Sequence, residues 1–371
     1  MRILISAGEA SGDLYAARLV EEICSRHPEA EFFGCAGPRM QAAGVRAIVD
    51  ARSLNVVGLV EVLAHLPRIW REFRKLTLAI QAERPDVAVL VDSPDFHLRL
   101  AKRLARAKVP VVYLIAPQAW AWRPWRTRAM GRDIARLLCI FPFEREFFES
   151  RGVPTTYIGH PLAAMVKPSD GEIGFVFSKP ILALLPGSRP GEASRHLPVL
   201  LEATELILKN HELTPVLALP PGFPMEPNFK ERIRAASIKL VIGRTWDVLA
   251  RSELALAASG TVTVEAALLG IPMVTFYRVN ALSWILGRRL VRAPFLTMVN
   301  LVAGSPVVPE LMQRDMTAER IAAQALRLLD DSDARAVMCA ELAKTAGRLK
   351  TGRDPMEVAA EWIERLWSEK H

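Results

Sequence analysis

The sequence predicts an α/β protein of two similar units in tandem, each a parallel β-sheet covered by helices on both faces. Three observations lead there. The chain has 371 residues, more than one ordinary domain holds and about right for two. Short, continuously apolar runs, β-branched in part and bounded by Gly, Pro or Asp, alternate with helical periodicity. That alternation breaks at residues 161–180, where prolines and glycines replace any period, and then restarts.

Residues 2–6 read as a buried first strand and not as a secretory leader. Only Ile3-Leu4-Ile5 run together before Ser6, and Glu9 soon interrupts with a charge. Residues 14–26 put Leu14, Ala17, Val20 and Cys24 on one helical face. Strands are expected at 31–35, 86–91, 110–115 and 135–140, with helices at 66–84 and 97–108. Beyond the break, strands are expected at 181–185, 215–219, 238–242, 253–258 and 272–276, and helices at 194–209 and 317–329. A last helix over 355–368 carries Met356, Val358, Ala359, Trp362, Ile363 and Leu366. The expected domains are 1–165 and 175–345, followed by a helical tail, 346–371.

At 51% hydrophobic and 24% charged residues, disorder is excluded as the overall state. The mean hydropathy of +0.17 is slightly high, yet no run of the length needed to span a bilayer is free of charge. Cys24, Cys35, Cys139 and Cys339 lie far apart without a CxxC pair, which argues against a disulfide framework or structural zinc and for a reducing, cytoplasmic location.

The net charge of +8 calls for an anionic partner. The excess sits in segments 64–76, 123–136 and 278–292, which hold thirteen Lys and Arg against Glu72 and Asp133. In the first, Arg68, Ile69, Trp70, Arg71 and Arg74 interleave charge with apolar bulk, and Trp284 to Arg292 repeat the theme. Such interleaving suits a membrane surface or an amphiphilic anion. The plainer alternative is amphipathic helices with solvated basic faces and core-packed Trp. No nucleic-acid-binding motif is present, so nucleic acid is not expected.

Four turns carry candidate chemistry. Ala7-Gly8-Glu9-Ala10-Ser11-Gly12-Asp13 comes directly after the first strand. There Gly8 and Gly12 let a ligand approach and the helix start attracts anionic or hydroxyl-rich groups. As a plain turn it would use Ser11 or Asp13 as N-cap, which leaves Glu9 unexplained. Asp92 ends a buried apolar run, where partial desolvation would raise a carboxylate towards a useful general base. Asp95, three residues on, suits a helix cap better, although either acid could be the base. Pro186-Gly187-Ser188-Arg189 ends the first strand of the second unit, with Arg189 able to grip a phosphate. Ser259-Gly260-Thr261 joins a strand to a helix start, a diphosphate cradle, and Glu265 one turn on could accept from a ribose. His160, beside the break, reads as structural. No metal-ligand spacing or nucleophile triad stands out.

These turns, with Ala36-Gly37-Pro38-Arg39-Met40, Trp120-Ala121-Trp122-Arg123 and Asn300-Leu301-Val302-Ala303-Gly304, form an ordered set over about residues 2 to 330. The set resembles the lipid-A-disaccharide synthase family. The resemblance implies the GT-B fold, two Rossmann-like doubly wound domains facing an interdomain cleft. It implies transfer from UDP-2,3-diacylglucosamine to 2,3-diacylglucosamine 1-phosphate with inversion, without metal or cofactor. Asp92 is then the expected base. Gly8, Glu9, Ser11, Gly12 and Asp95 are the expected acceptor or sugar contacts, and Ser188, Arg189, Ser259, Gly260, Thr261, Glu265 and Asn300 the expected UDP contacts. Anionic lipids of the inner membrane's cytoplasmic face are the expected peripheral partner, and a homo-oligomer is compatible. A UDP-sugar 2-epimerase of the same fold, or a non-enzymatic peripheral membrane protein, are the alternative readings.

Overall fold

The computed structural model describes residues 1–53, 59–169, 178–225, 227–280, 284 and 293–370, with the backbone alone for residues 10 and 59–65. It divides into two units, Met1–Pro161 with Lys350–His371, and Leu162–Leu349. Among the described residues no helix is long and apolar enough to cross a membrane.

The first unit holds β1 (Arg2–Ala7), β2 (Glu31–Ala36), β3 (Arg46–Asp50), β4 (Val87–Val91), β5 (Val111–Leu114), β6 (Arg136–Cys139) and β7 (Thr155–Tyr157). They form one parallel sheet in the order β3-β2-β1-β4-β5-β6-β7. Strand alternation sends Leu4, Ala88 and Leu90 to one face, where they meet Leu76 and Ile80 of the helix Leu59–Glu83 and Leu100 and Leu104 of the helix Pro94–Arg106. Each buried Leu or Ile among them contributes about 1.5–3 kcal/mol. Burial on both faces is why these strands read as unbroken apolar runs.

The tail from Lys350 is grouped with this first unit. Its helix Pro355–Ser368 is capped by Asp354, which accepts from the Met356 amide at 2.7 Å. Glu364 meets His27 at 3.1 Å, and Arg136 stacks over Trp362 with its guanidinium 3.8 Å from the ring centroid.

The second unit repeats the plan with β8 (Ile181–Leu185), β9 (Thr214–Leu219), β10 (Lys239–Ile242), β11 (Ser252–Ala258), β12 (Met273–Tyr277) and β13 (Glu310–Met312), all parallel, in the order β10-β9-β8-β11-β12-β13. The expected strands are all present. The structure adds β3, β7 and β13, each the outer strand of its sheet on one side. Between the helices Ala318–Asp330 and Ser332–Arg348, Asp331 caps the second by accepting from the Ala334 amide at 2.8 Å.

Candidate functional site

Each sheet reverses its strand order once, between β1 and β4 in the first unit and between β8 and β11 in the second. At such a reversal the loops leaving the carboxyl ends of the two strands diverge and open a crevice for ligand. All four candidate turns stand at these two places.

In the first unit, the turn after β1 lies against the turn after β4. A methyl group on Gly8 would stand 2.3 Å from the Ser93 hydroxyl oxygen, so a side chain there would displace Ser93. Asp92 and Ser93 both adopt left-handed backbone, with φ of +55° and +44°. This conformation is uncommon for residues with a side chain. The Asp92 carbonyl accepts from His97 Nδ1 at 2.7 Å and from the Tyr113 hydroxyl at 2.6 Å. Since a carbonyl only accepts, His97 carries its proton on Nδ1, and Nε2 accepts from the Ser6 hydroxyl at 2.8 Å. Complete burial lowers the His97 pKa to about 4, so the ring is neutral. The Asp92 side chain is half-buried at the sheet edge.

Several expectations change here. Glu9, not Ser11 or Asp13, occupies the N-cap position of the helix Ala10–Arg26, and its side chain makes no capping bond. Ser11 is exposed. Asp13 is buried and serves a different helix, accepting from the Arg39 and Met40 amides at 3.0 and 3.1 Å at the start of Pro38–Ala42. Gly12 is buried, with β1 and β4 in van der Waals range of a methyl group added there. At that spacing the packing alone does not demand glycine. Asp95 is no cap, since Ser93 holds that position without a side-chain bond. Its exposed carboxylate is bound by Arg123 at 2.9 Å and by Arg126.

The segments after β5 and β6 are aromatic. Trp120 donates its indole N–H to Glu144 at 3.1 Å and packs edge-on against Phe143. Glu144 also accepts from the Phe141 amide at 3.2 Å, and burial pushes its carboxyl up to about 8. His160 is buried against Tyr15 and Phe141, which bears out a structural place for it.

In the second unit, Gly187 turns with φ of +117°, and a methyl group there would stand 3.2 Å from Glu192. Ser188 and Arg189 are exposed, and Arg189 Nη1 donates to Glu192 Oε1 at 3.1 Å. Tyr277 at the end of β12 donates to the same oxygen at 2.8 Å. Behind them, His196 Nδ1 donates to the Pro186 carbonyl at 2.7 Å while Nε2 accepts from the Arg278 amide at 3.1 Å. One buried imidazole thus ties the loop after β8 to the loop after β12.

Across the strand reversal, Gly260 is the N-cap of the helix Thr261–Leu268 in extended backbone, with nothing among the described residues within 4 Å of a methyl group placed on it. Among the described residues no neighbour demands glycine there. Beside it, Ser259 donates its hydroxyl to the Leu296 carbonyl at 3.1 Å, and Thr261 is exposed. Glu265 is half-buried and accepts from the Trp246 indole N–H at 3.0 Å, and burial raises its carboxyl to about 7. Asn300 departs from expectation. It is 1% exposed, and its amide is spent on both main-chain groups of Val308, at 2.9 Å each, and on Glu310. Glu310 in turn accepts from the Leu296 and Thr297 amides and from the Thr297 hydroxyl. Asn300 therefore shapes the loop beside Ser259 and is withdrawn as a UDP contact.

The basic helix Leu59–Glu83 exposes Arg68, Trp70, Arg71, Arg74 and Lys75, while Ile69 is half-buried. Trp70 is 65% exposed, which removes the core-packed reading for that residue. Glu72 is buried under Lys75 at 3.0 Å. Of the third basic stretch, residues 278–292, residues 281–283 and 285–292 lie outside the described residues. Among the described residues no group of three or more His, Cys, Asp or Glu is placed to hold a metal ion.

Sequence reasoning missed His97, Tyr113, Glu192, His196, Trp246 and Tyr277. A usable signal existed for both histidines. His97 shares a helical stripe with Leu100, Ala101 and Leu104, and His196 shares one with Ala193, Leu197 and Leu200. A histidine on a core-facing stripe is buried and needs partners.

Comparison with known proteins leads the same way. The family described as lipid-A-disaccharide synthetase matches residues 3–358. A lipid-A-disaccharide synthase of Solibacter usitatus is 56% identical over 356 residues, covering 94% of this chain and 93% of the relative. Among solved structures, the glycosyltransferase of kitacinnamycin superposes with a TM-score of 0.64 at 14% identity, covering 98% of each chain. The UDP-GlcNAc 2-epimerase of Neisseria meningitidis, bound to UDP-GlcNAc, superposes with a TM-score of 0.63 at 13% identity over the whole of both chains. At such identities the structural likeness shows the GT-B fold alone, whereas the sequence match extends through every candidate turn. The chain belongs to the lipid-A-disaccharide synthase family.

Proposed function

We propose that this protein is an inverting glycosyltransferase. It moves 2,3-diacylglucosamine from UDP-2,3-diacylglucosamine to the 6-hydroxyl of 2,3-diacylglucosamine 1-phosphate, giving the β-1,6-linked disaccharide 1-phosphate and UDP. The observation that carries this reading is family membership across residues 3–358.

An α-linked donor and a β-linked product require a single displacement. The acceptor oxygen attacks the anomeric carbon as its proton passes to a base, and the bond to the β-phosphate breaks with its electron pair on UDP. Asp92 is the base in this scheme. Its position at the carboxyl end of β4, beside the strand reversal, supports that role, and the engagement of Asp95 by two arginines favours Asp92 over it. Gly8, Glu9 and Ser11 contact the acceptor.

Departure of UDP needs donors and positive charge on the diphosphate. Arg189, Ser188 and the helix start at Ser259, Gly260 and Thr261 provide them, and the open space at Gly260 supports close approach of a ligand. Glu265 accepts from the ribose with the carboxylate edge that Trp246 leaves available. Both substrates carry acyl chains, so the enzyme works at an anionic lipid surface, which it meets through Arg68, Ile69, Trp70, Arg71 and Arg74.

Mass spectrometry of the products formed from the two acylated sugars tests the reading. Disaccharide 1-phosphate and UDP are expected. Conversion of UDP-GlcNAc without an acceptor would instead favour the 2-epimerase, whose fold this chain shares. No heat on titrating UDP would leave a non-enzymatic membrane protein.

A further inference from the structure

The turn after β4 is held in a conformation that its own residues do not favour. Asp92 and Ser93 are successive non-glycine residues with left-handed φ, and such backbone persists only where its surroundings over-determine it. The surroundings here are specific. His97 Nδ1 and the Tyr113 hydroxyl both donate to the Asp92 carbonyl, at 2.7 and 2.6 Å. Gly8 leaves room for the Ser93 side chain. The far side of the His97 ring is anchored by the Ser6 hydroxyl at 2.8 Å, one residue before β1 ends. His97 and Tyr113 are both completely buried, and the ring is neutral, so these bonds do not come and go with solvent or pH near neutrality.

We propose that His97, with Tyr113, is a positioning residue for Asp92: the two donors fix the Asp92 carbonyl, hold the left-handed turn, and so aim the Asp92 carboxylate. Relaxation of Asp92 to the ordinary extended region would swing its Cα–Cβ bond and carry the carboxylate away. A small misplacement of a base is costly because proton transfer demands hydrogen-bond reach. The inference rests on the reading of Asp92 as the base.

The test compares initial rates with the two acylated sugars for wild type, Asp92→Asn, His97→Phe, His97→Asn and Tyr113→Phe, with UDP titrated into each by calorimetry. His97→Phe keeps much of the ring volume and removes both hydrogen bonds. It is expected to lower kcat by about 10- to 100-fold with UDP affinity held within about twofold. Tyr113→Phe is expected to lower kcat by about 3- to 10-fold, and His97→Asn, which retains an N–H near the Nδ1 position, to recover part of the loss. The deciding readout is the double variant. If His97 acts through Asp92, adding His97→Phe to Asp92→Asn lowers kcat by less than about threefold further.

Wild-type kcat in folded His97→Phe and Tyr113→Phe overturns the proposal, and so do losses that multiply in full in the double variant. Should His97→Phe fail to fold, Tyr113→Phe and its cycle with Asp92→Asn decide in the same way. A near-normal rate in Asp92→Asn overturns the base assignment and the positioning role together. A slow Asp92→Asn beside unimpaired His97 and Tyr113 variants overturns the positioning role alone.

Discussion

Asp13 and Gly37 fit each other so closely that a methyl group on Gly37 would stand 2.4 Å from the Asp13 carboxyl carbon. The approach lets Asp13, from the first helix, cap the helix Pro38–Ala42 through the amides of Arg39 and Met40. Two of the turns in the ordered motif set are thus one structural unit. Gly37→Ala must push the buried carboxylate off those amides. It is expected to cost about 1–3 kcal/mol of stability, read as a lower urea midpoint at unchanged slope. An unchanged midpoint would mean that the contact yields without strain.

Gly260 makes the opposite case. Its φ is extended and open to any residue, and among the described residues no neighbour crowds a methyl group there. Gly260→Ala should therefore shift stability by no more than about 0.5 kcal/mol. If a diphosphate approaches the helix start, the same methyl group should weaken UDP binding measured by calorimetry. Arg189→Ala should weaken it by about 1.5–3 kcal/mol, the scale of a charge-assisted hydrogen bond. Unchanged affinity in both variants would move the donor site elsewhere.

Glu144 gives a pH signature. Burial raises its carboxyl from 4.5 to about 8. Between those values the folded protein holds a proton that the unfolded chain releases. The group's contribution to stability is therefore full below about pH 4.5 and is lost as the pH rises through about 8. Glu144→Gln cannot titrate and keeps an oxygen to accept from Trp120 or Phe141. The unfolding free energy of the variant relative to wild type should rise between pH 5 and pH 8.5, followed by chemical denaturation. A difference that stays flat over that range would place the carboxyl near its ordinary value.

The central strands were legible because both of their faces are buried. Ile3-Leu4-Ile5 and Val87-Ala88-Val89-Leu90-Val91 carry no polar residue to hide them. The outer strands were not. Arg46–Asp50 has one buried residue and begins and ends on charge, and Thr155–Tyr157 and Glu310–Met312 are too short to show a period. The glycine turns were legible from composition, but their supports were not. Ser6 and His97 are separated by 91 residues, and Arg278 and His196 by 82, so parallel strand order brings together groups that no local pattern pairs. Asn300 was expected as a UDP contact only from the family resemblance, and its side chain is instead covered by Val308 and Glu310 at the start of β13.

The basic helix Leu59–Glu83 allows a sharper membrane test than charge alone would. Arg68, Arg71, Arg74 and Lys75 point to solvent together with Trp70 and Leu66, while the acid among them, Glu72, is buried. Each Lys or Arg near an anionic surface contributes about 1 kcal/mol, and this contribution fades as salt shortens the screening length. Insertion of the Trp70 ring and the Leu66 side chain adds an apolar part that salt does not remove. The two parts separate in liposome co-sedimentation with anionic lipid at low and high salt. Replacing Arg68, Arg71 and Arg74 by Glu should shift protein to the supernatant at low salt. Trp70→Ala should abolish the fraction that still pellets at high salt. Because these side chains are exposed, or half-buried in the case of Ile69, neither change should lower the melting temperature by more than a surface substitution does. Equal binding to neutral and anionic vesicles, untouched by either change, would reduce this helix to an ordinary solvated face.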